Sequence, residues 1–477
     1  MFYSLWYRTS GISYFDVVHI FAIIRAGCVP HLINVELSKT LSPLILDLLH
    51  ESNACALFID PSLTQNDFLK TKYQYRDIFT IKDVSEYPIE LNRDLLPPIP
   101  INFPSEQLIL VLHTSGSTGG RCKLVRQDFR TFSAQVKKRK HVLDKNRRSA
   151  QLTAPRIGSF CHTAQITEFL TVITHAGTVI LTNPNFNSSK LIEMYQECHL
   201  TMIAQFSAFV TLHLKNSRTD PLLLNVLKSM DEILFCGSTI PESELQWAKE
   251  NRIPILNAFG MTECGGLLVG LRDDPACLIP VRLEGLHYAF RSISNTKRDL
   301  EISLNRNQKI QRLEELIVLS NSIDCPHPTL RSKTDGHFHT GDLFEEVYKG
   351  RYLFRGRIDD LIKMENGRIC DTKSIEDRLR KNCDDIIHAC VVVGTNRPSP
   401  ALLIEPKLST YNKERLITSV ELQLTEYNAN VYEHERLTRN HITVVRKGSL
   451  PRTLKGNIRR NLAEQMFSRQ LDQIYGS

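Results

Sequence analysis

The cysteines of this sequence follow none of the spacings that mark a disulfide framework or a zinc site. There are twelve cysteines among 477 residues, with no C-x-x-C pair and no Cys/His cluster at zinc spacing. Scattered cysteines of this kind are typical of reduced thiols. We therefore expect a cytoplasmic protein without structural disulfides.

Long apolar runs and targeting segments are also missing. The apolar stretch VVHIFAII at 17–24 is followed at once by Arg25 and is too short to span a bilayer. The opening residues MFYSLWYRTSG lack the basic region of a secretory signal. We expect neither a membrane span nor secretion.

The charge balance is mild. A formal net charge of +7 over 477 residues suits an enzyme that handles phosphates or other anions, but does not require one. The basic run KKRKHVLDKNRR at 137–148 has no interleaved aromatic residues, so it does not predict nucleic-acid binding. We interpret it as a solvated helix face and the loop after it, with a nuclear signal or an anion patch as alternatives.

The segment HTSGSTGGRCKL at 113–124 matches no common catalytic or phosphate-binding motif. It does not fit G-x-x-x-x-G-K-[ST] or the dinucleotide pattern G-x-G-x-x-G, and no G-x-S-x-G nucleophile elbow surrounds its serines. It nevertheless follows the strand-like run LILVL and is rich in Gly, Ser and Thr. Glycines let backbone N–H groups approach an anion and hydroxyls add donors, so the segment predicts a phosphate loop of another type, with a polar surface turn as the alternative.

Strand-like and helix-like segments alternate along most of the chain, which predicts an α/β protein. The stretch from about 280 to 340 is less periodic and is predicted to be rich in strands. At 355–369 the pattern changes to charged, Gly-containing sequence, and a compact α+β tail follows. We predict a large N-terminal domain over 1–356 and a small C-terminal lobe over 357–477, joined by a hinge. The chain begins on a helical pattern whose partners would lie upstream, so we expect the large domain to lack an opening segment.

Four further segments accompany the loop. They are NAFGMTEC at 257–264, HTGDLFEE at 339–346, GRIDDLIK at 356–363 and LPRTLKGNIRR at 450–460. Each alone is weak, because short Thr-Gly-Asp or Lys-Gly strings usually form surface turns. Together, in this order and after the loop, they indicate one composite site.

With these segments the chain resembles the adenylate-forming superfamily, which includes acyl-CoA synthetases, firefly luciferase and the adenylation domains of nonribosomal peptide synthetases. The loop is similar to the family's T-S-G-S-T-G-x-P-K motif, and NAFGMTE is similar to its Y-G-x-T-E segment with Phe259 in place of tyrosine. The resemblance covers nearly the whole chain and looks closest to fungal NRPS-like proteins. It implies a carboxylate–AMP ligase that activates an acid with ATP and Mg²⁺ and transfers it to coenzyme A or carrier phosphopantetheine in secondary metabolism.

The resemblance also implies roles for individual residues. Catalysis would involve Lys455, Thr262, Glu263 and His162, with Glu263 helping to hold Mg²⁺ and His162 gating the acyl pocket. Asp342 and Arg357 would bind the ribose, Phe259 would stack on adenine, and Asp359 would be the hinge. The predicted nucleotide-binding residues are Thr114, Ser115, Gly116, Ser117, Thr118, Gly119, Lys123, Gly237, Ser238, Asn257, Phe259, Gly260, Asp342 and Arg357.

Departures from the family pattern leave alternatives open. From Thr114 to Lys123 there are ten residues instead of nine, so either one residue is inserted or Cys122 occupies the lysine position beside Arg121. Asn457 stands where a lysine is usual, and Lys455 would have to serve instead. A degenerate, non-catalytic nucleotide-binding or scaffold relative is therefore the alternative function.

The acid is predicted to be an aryl or aliphatic carboxylic acid. Amino-acid-activating relatives commonly carry an aspartate after Ser-Phe to hold the substrate's ammonium, and this chain has Cys161 there. An unpaired ammonium in a closed pocket is costly. We expect no carrier or reductase domain after the tail, so such a partner would be on another chain or absent.

Overall fold

The computed structural model describes most of the chain. The described residues are 2–6, 14–33, 48, 51–59, 77–80, 104–114, 123–156, 158–182, 186–237, 240–293, 313–358, 361–365, 369–408, 412–430, 435–452 and 458–476. Mixed α/β layers form a large N-terminal part, and a smaller α+β part follows it, which confirms the predicted fold class. No helix among these residues is long and apolar enough to cross a membrane.

The first sheet has the described strand order β4-β3-β1-β2-β5-β6. Its strands are β1 (Phe2–Trp6), β2 (Val29–Ile33), β3 (Ala56–Ile59), β4 (Asp77–Thr80), β5 (Leu108–Thr114) and β6 (Lys123–Asp128). All neighbours are parallel except β5 and β6, which form an antiparallel hairpin. Helix α1 (Tyr14–Arg25) connects β1 to β2, and Gly27 ends it with a φ of 75°. The expectation that the chain opens on a helix is wrong, because β1 precedes α1.

The second sheet joins parallel and antiparallel strands. Its order is β14-β15-β16-β17-β13-β12-β11-β10-β9. The strands are β9 (Met202–Phe206), β10 (Glu232–Cys236), β11 (Ile255–Met261), β12 (Gly265–Gly270), β13 (Leu278–Pro280), β14 (Tyr288–Ser292), β15 (Leu313–Val318), β16 (Phe338–Tyr348) and β17 (Arg351–Arg357). Strands β9, β10 and β11 are parallel to one another. All other neighbouring strands of the sheet, from β11 along the order to the edge strand β14, pair antiparallel. The change occurs at the β11–β12 turn, and the strand-rich character predicted for 280–340 is confirmed.

Helices pack around these sheets, beside a two-stranded parallel pair of β7 (Thr153–Arg156) and β8 (Thr178–Leu181). The helices are α2 (Phe129–Asn146), α3 (Thr163–Thr174), α4 (Ser188–Cys198), α5 (Ser207–Ser217), α6 (Pro221–Ser229) and α7 (Glu242–Glu250). The side chains of Asp128 and Asp220 accept backbone N–H bonds at the starts of α2 and α6, which satisfies donors that the helix itself leaves open.

The basic run lies mostly on α2, but its interpretation as a solvated face is wrong in part. The Lys138 side chain is 2% exposed and pairs with Asp324 at 2.6 Å. Arg139 is also buried and pairs with Glu168 and Glu232. Two of the cations therefore point inward because carboxylates distant in sequence meet them there.

The C-terminal part has its own sheet and core. Strands β18 (Ile362–Lys363) and β19 (Ile369–Cys370) pair with each other, and β20 (Ile387–Val393), β21 (Ala401–Pro406) and β22 (Ile442–Val444) form a three-stranded sheet. The helices are α8 (Thr372–Asn382), α9 (Lys413–Asn430), α10 (Arg460–Met466) and α11 (Ser468–Tyr475), with a short 3-10 turn at Arg439–His441. Another 3-10 turn, Pro328–Leu330, lies in the large part between β15 and β16. One hydrophobic cluster here draws its buried members only from Ile362 to Ile442.

Candidate active site

The predicted phosphate loop is described only at its two ends. Thr114 is the last residue of β5 and lies opposite Lys123, the first residue of β6, in the antiparallel register. Lys123 is exposed. Ser115, Gly116, Ser117, Thr118 and Gly119 lie outside the described residues, as do Arg121 and Cys122. Lys123 therefore stands at the base of the hairpin, across from Thr114.

The turn between β11 and β12 carries Thr262 and Glu263, both partly buried. Backbones approach closely just before it, where a Cβ on Gly260 would lie 2.4 Å from the carbonyl oxygen of Gly265. A side chain at this position would force the hairpin apart. Glycine is thus required here by packing, whatever else its backbone binds.

Asp342 and Arg357 are cross-strand partners on β16 and β17. Asp342 is 4% exposed. Nη1 of Arg357 lies 3.3 and 3.4 Å from the two carboxylate oxygens of Asp342. These distances are at the long end of the range for hydrogen bonds.

The segment before Asp342 is held by an ionic cluster on the neighbouring strand. Glu315 accepts the backbone N–H of Gly341 at 3.0 Å and lies 2.9 Å from the ring of His339. Burial alone would lower the pKa of His339, but hydrogen bonds to Glu315 and Asp335 raise it overall. Gly341 has a φ of 70°, which favours glycine at this position.

Phe259 sits in an aromatic cluster in the same sheet as Asp342. Its ring packs edge-on against Phe344 at 5.0 Å between centroids and lies 5.5 Å from Phe354. Phe344 is fully buried, while Phe259 stays partly exposed. Phe259 is therefore held by two rings and keeps part of its surface exposed.

Gly237 follows β10 at the carboxyl edge of the parallel strands, with a φ of 93°. A Cβ there would lie 3.2 Å from the ring of Phe206, at the end of β9. Asn257 lies in β11 opposite Phe235 of β10. Ser238 lies outside the described residues. Carboxyl edges of this kind are where open α/β sheets bind ligands.

His162 is the residue before α3, and its side chain makes no capping hydrogen bond to the helix. The preceding Cys161 belongs to a hydrophobic cluster with Phe160. Burial raises the pKa of the Cys161 thiol to about 12. A neutral thiol cannot balance an ammonium group.

Two residues that tie these parts together carry no motif. Gln127 on β6 donates to the carbonyl of Thr262 at 2.7 Å. Lys138 on α2 donates to the carbonyl of Cys264 at 2.8 Å. The turn with Thr262 and Glu263 is thus held at both ends by buried side chains, and no local sequence pattern signals either contact.

The protein side chains at this site could bind Mg²⁺ only together with the phosphates of a bound nucleotide. Among the described residues no group of three or more His, Cys, Asp or Glu side chains is placed to hold a metal ion. Glu263 is the single carboxylate in the turn. Mg²⁺ commonly binds one or two carboxylates together with substrate phosphates, so Glu263 fits that role.

Two predicted residues near the C-terminal lobe fall outside the described residues. They are the hinge Asp359 and the catalytic Lys455. On either side of the lysine segment, Arg452 and Ile458 form an isolated antiparallel bridge. Arg452 is anchored by Glu405 at 2.6 Å.

Comparison with known proteins agrees with this geometry. Residues 14–281 match the AMP-binding enzyme family, and residues 359–477 match the AMP-binding enzyme C-terminal domain. The chain is 33% identical over 457 residues to the AMP-binding domain-containing enzyme iboA of Amanita muscaria, covering 93% of this chain and 85% of that protein. It is 28% identical over 271 residues to hispidin synthase of Neonothopanus nambi, covering 52% of this chain but only 15% of that protein.

A solved structure has the same fold. It is the O-succinylbenzoate coenzyme A synthetase of Bacillus subtilis in complex with ATP and magnesium, with a TM-score of 0.69 and 18% identity. The match covers 97% of this chain and 88% of that one. The chain therefore belongs to the AMP-binding enzyme family, and the predicted adenylate-forming, carboxylate–AMP ligase class is confirmed.

Proposed function

We propose that this protein activates a carboxylic acid with ATP to an acyl-adenylate and then transfers the acyl group to a thiol, in fungal-type secondary metabolism. The observation that carries the proposal is the convergence of Asp342, Phe259 and the Thr262–Glu263 turn. The contact of Phe259 with Phe344, two residues after Asp342 on β16, supports this convergence, and β11 leads directly from Phe259 to the turn. The 33% identical relative from Amanita muscaria supports the fungal assignment.

The first half-reaction needs two anions brought together. A carboxylate oxygen would attack the α-phosphorus, the bond to the bridging oxygen would break, and pyrophosphate would leave. Asp342 and Arg357 would hold the ribose, Phe259 the adenine, and Thr262 would donate to the α-phosphate. Mg²⁺, held by Glu263 and the phosphates, would neutralise the charge that accumulates on them. Lys455 would supply a further donor to the transition state.

The second half-reaction would place the acyl group on coenzyme A or on the phosphopantetheine of a separate carrier protein. The sulfur would attack the acyl carbon, and AMP would leave with the former carboxylate oxygen. The coenzyme A synthetase of Bacillus subtilis with the same fold supports coenzyme A as one acceptor. A carrier protein or reductase in trans stays a proposal that follows from the sequence.

We place the domain boundary between 356 and 357 and the hinge at Asp359. The separate hydrophobic cluster over Ile362–Ile442 supports this division. The ion pair between Lys381 and Glu242, which links the two parts, is largely exposed, so it adds little resistance to rotation. We also propose a cytoplasmic location, supported by eleven free cysteines among the described residues.

ATP–pyrophosphate exchange with a panel of aryl, aliphatic and amino acids tests the proposal. We expect acid-dependent exchange with at least one aryl or aliphatic acid. Exchange with amino acids alone would overturn the inference that Cys161, in place of an aspartate, disfavours amino-acid substrates. No exchange with any acid, by a protein whose circular dichroism shows the expected fold, would favour the degenerate relative.

The basic residue of the phosphate loop can be identified in the same assay. Lys123→Ala is expected to lower exchange about tenfold, because a charge-assisted hydrogen bond to phosphate is lost. Arg121→Ala is the matched control and should change the rate about twofold or less. A larger loss of exchange in Arg121→Ala than in Lys123→Ala would show that Cys122 occupies the lysine position and that Arg121 supplies the charge.

A further inference from the structure

Three buried polar side chains form a continuous chain of hydrogen bonds through the interior of the large domain. Gln127 and Gln135 are 0% and 1% exposed, and Thr163 is 7% exposed. The Thr163 hydroxyl donates to Oε1 of Gln135 at 2.7 Å, and Nε2 of Gln135 donates to Oε1 of Gln127 at 3.0 Å. Nε2 of Gln127 then donates to the carbonyl oxygen of Thr262 at 2.7 Å.

This chain of hydrogen bonds runs in one direction, from Thr163 to Thr262. An amide donates only from nitrogen and accepts only at oxygen, so the orientation of one glutamine amide determines the orientation of the next. A flipped amide would bring two oxygens or two N–H groups together in a region away from water, which costs free energy. The carbonyl of Thr262 can only accept, so it sets the orientation of both amides and leaves Oε1 of Gln135 to accept from the hydroxyl of Thr163.

The two ends of the hydrogen-bond chain lie at different parts of the candidate site. Thr163 is the first residue of α3 and follows His162, the predicted gate of the acyl pocket. Thr262 precedes Glu263, the predicted magnesium ligand, in the β11–β12 turn. The hydrogen-bond chain connects Thr163 to Thr262 through Gln135 on α2 and Gln127 on β6.

Gln135 also determines the far end of the turn. Gly265 has a φ of 70°, and a Cβ there would lie 2.6 Å from Cγ of Gln135. Gln135 thus packs against the residue that starts β12, while its amide acts through Gln127 on Thr262. Any movement of the Gln135 side chain would move both ends of the turn that carries Glu263.

The choice of residues depends on the Thr262 carbonyl. Apolar side chains could replace the hydrogen-bonded glutamine pair at little cost, because buried amides gain only modest net free energy from their bonds, but they would leave this backbone carbonyl without its donor. What apolar side chains cannot do is orient the carbonyl of Thr262. The polar residues provide orientation, which a metal-binding turn requires.

We infer that Gln127, Gln135 and Thr163 are positioning residues that couple the start of α3 to the magnesium- and phosphate-binding turn. The hydrogen-bond chain holds the Thr262 carbonyl so that Glu263 would face a bound Mg²⁺. The inference rests on the proposed role of Glu263 in the ATP site. It adds that residues remote from the phosphates set how strongly magnesium promotes nucleotide binding.

The test measures the dissociation constant of ATP with Mg²⁺ and with EDTA, on the full chain, and takes the ratio as the magnesium effect. Gln127→Leu and Thr163→Val are each expected to reduce this ratio about fivefold to tenfold, as losses within one hydrogen-bond network do. Thr163→Ser keeps the donor and should retain the wild-type ratio. Activity is not needed for this readout.

Thr171→Val is the matched control. Thr171 lies on the same helix, is fully buried, and bonds only locally, to the carbonyl of Thr167 at 2.8 Å. Its substitution should leave the ratio unchanged. An unchanged ratio in Thr163→Val, or an equal loss in Thr171→Val, would overturn the inference.

Thr163→Val also keeps the inference testable if Gln127→Leu fails to fold, because its side chain is nearly isosteric with threonine. Wild-type protein that binds ATP with no magnesium effect would overturn the role of Glu263 and the inference with it. A wild-type magnesium effect that every variant retains would overturn the inference alone. The two failures are thus distinguishable.

Discussion

Replacing Asp342 with alanine is expected to raise the dissociation constant of ATP by roughly 100-fold. Asp342 is 4% exposed and lies two residues before Phe344, whose ring contacts Phe259. Hydrogen bonds from the two ribose hydroxyls to a carboxylate contribute about 1.5–3 kcal/mol each, and their joint loss corresponds to about two powers of ten or more. Equilibrium titration with ATP at neutral pH measures the change.

Glu345→Ala provides the control for this substitution. Glu345 lies on the same strand, and Nε of Arg355 on the neighbouring strand donates to it at 2.8 Å. Loss of this pair should leave ATP affinity within about twofold, because half-exposed ion pairs contribute little. If Asp342→Ala binds ATP as the parent does, the ribose role is wrong and the carboxylate is structural.

Much of the candidate site was predictable because its residues come in short strings whose backbone geometry is local. NAFGMTE and HTGD each place their residues on one strand and its turn, so the order of side chains follows from the sequence. What the strings could not show is how they meet. Phe259 reaches Phe344 only because β11 and β16 belong to the same nine-stranded sheet.

Two errors of prediction have the same physical origin. Strand β1 was missed because five residues, FYSLW, carry too little pattern, and their state is decided by pairing with β2 and β3. Lys138 was assigned to a solvated face because its partner Asp324 is 186 positions away. A partner at that distance leaves no local signal, whereas an i,i+4 pair would.

Gln127 and Gln135 show the same limit for polar residues. Glutamine is usually exposed, so neither residue is predicted to be buried from its type. Their burial is intelligible only once Thr163 and the Thr262 carbonyl are known to lie at the two ends of the hydrogen-bond chain. A buried polar residue is thus a signal that the structure provides and the sequence hides.

Lys138→Met is expected to lower the free energy of unfolding by about 3–5 kcal/mol, because it leaves the carboxylate of Asp324 buried without its compensating charge. Lys138 and Asp324 are 2% and 0% exposed, and their charged atoms lie 2.6 Å apart. The remaining donors are the hydroxyls of Tyr288 and Ser322, at 2.6 and 2.5 Å. Urea denaturation followed by circular dichroism measures the loss.

Lys140→Met is the matched control, on the same helix but with a side chain 45% exposed. Its loss should stay below about 0.5 kcal/mol, as for other exposed i,i+4 pairs. The double variant Lys138→Met/Asp324→Asn should recover part of the stability, because the neutral amide can accept from one of the two hydroxyls with its oxygen and donate to the other with its nitrogen. If Lys138→Met costs no more than Lys140→Met, the buried pair does not stabilise the fold.

The pH dependence separates lost charge pairing from lost packing. Burial alone would raise the pKa of Asp324, but the charge and hydrogen bond of Lys138 lower it overall. A lowered pKa adds stability that is present above the unfolded value, about 4, and is lost as the pH falls. In Lys138→Met only the hydrogen bonds of Ser322 and Tyr288 still oppose burial, so the pKa of Asp324 should rise and the variant should be least stable, relative to the parent, at neutral pH. The deficit should therefore shrink as the pH falls towards 4, whereas a packing defect would stay constant.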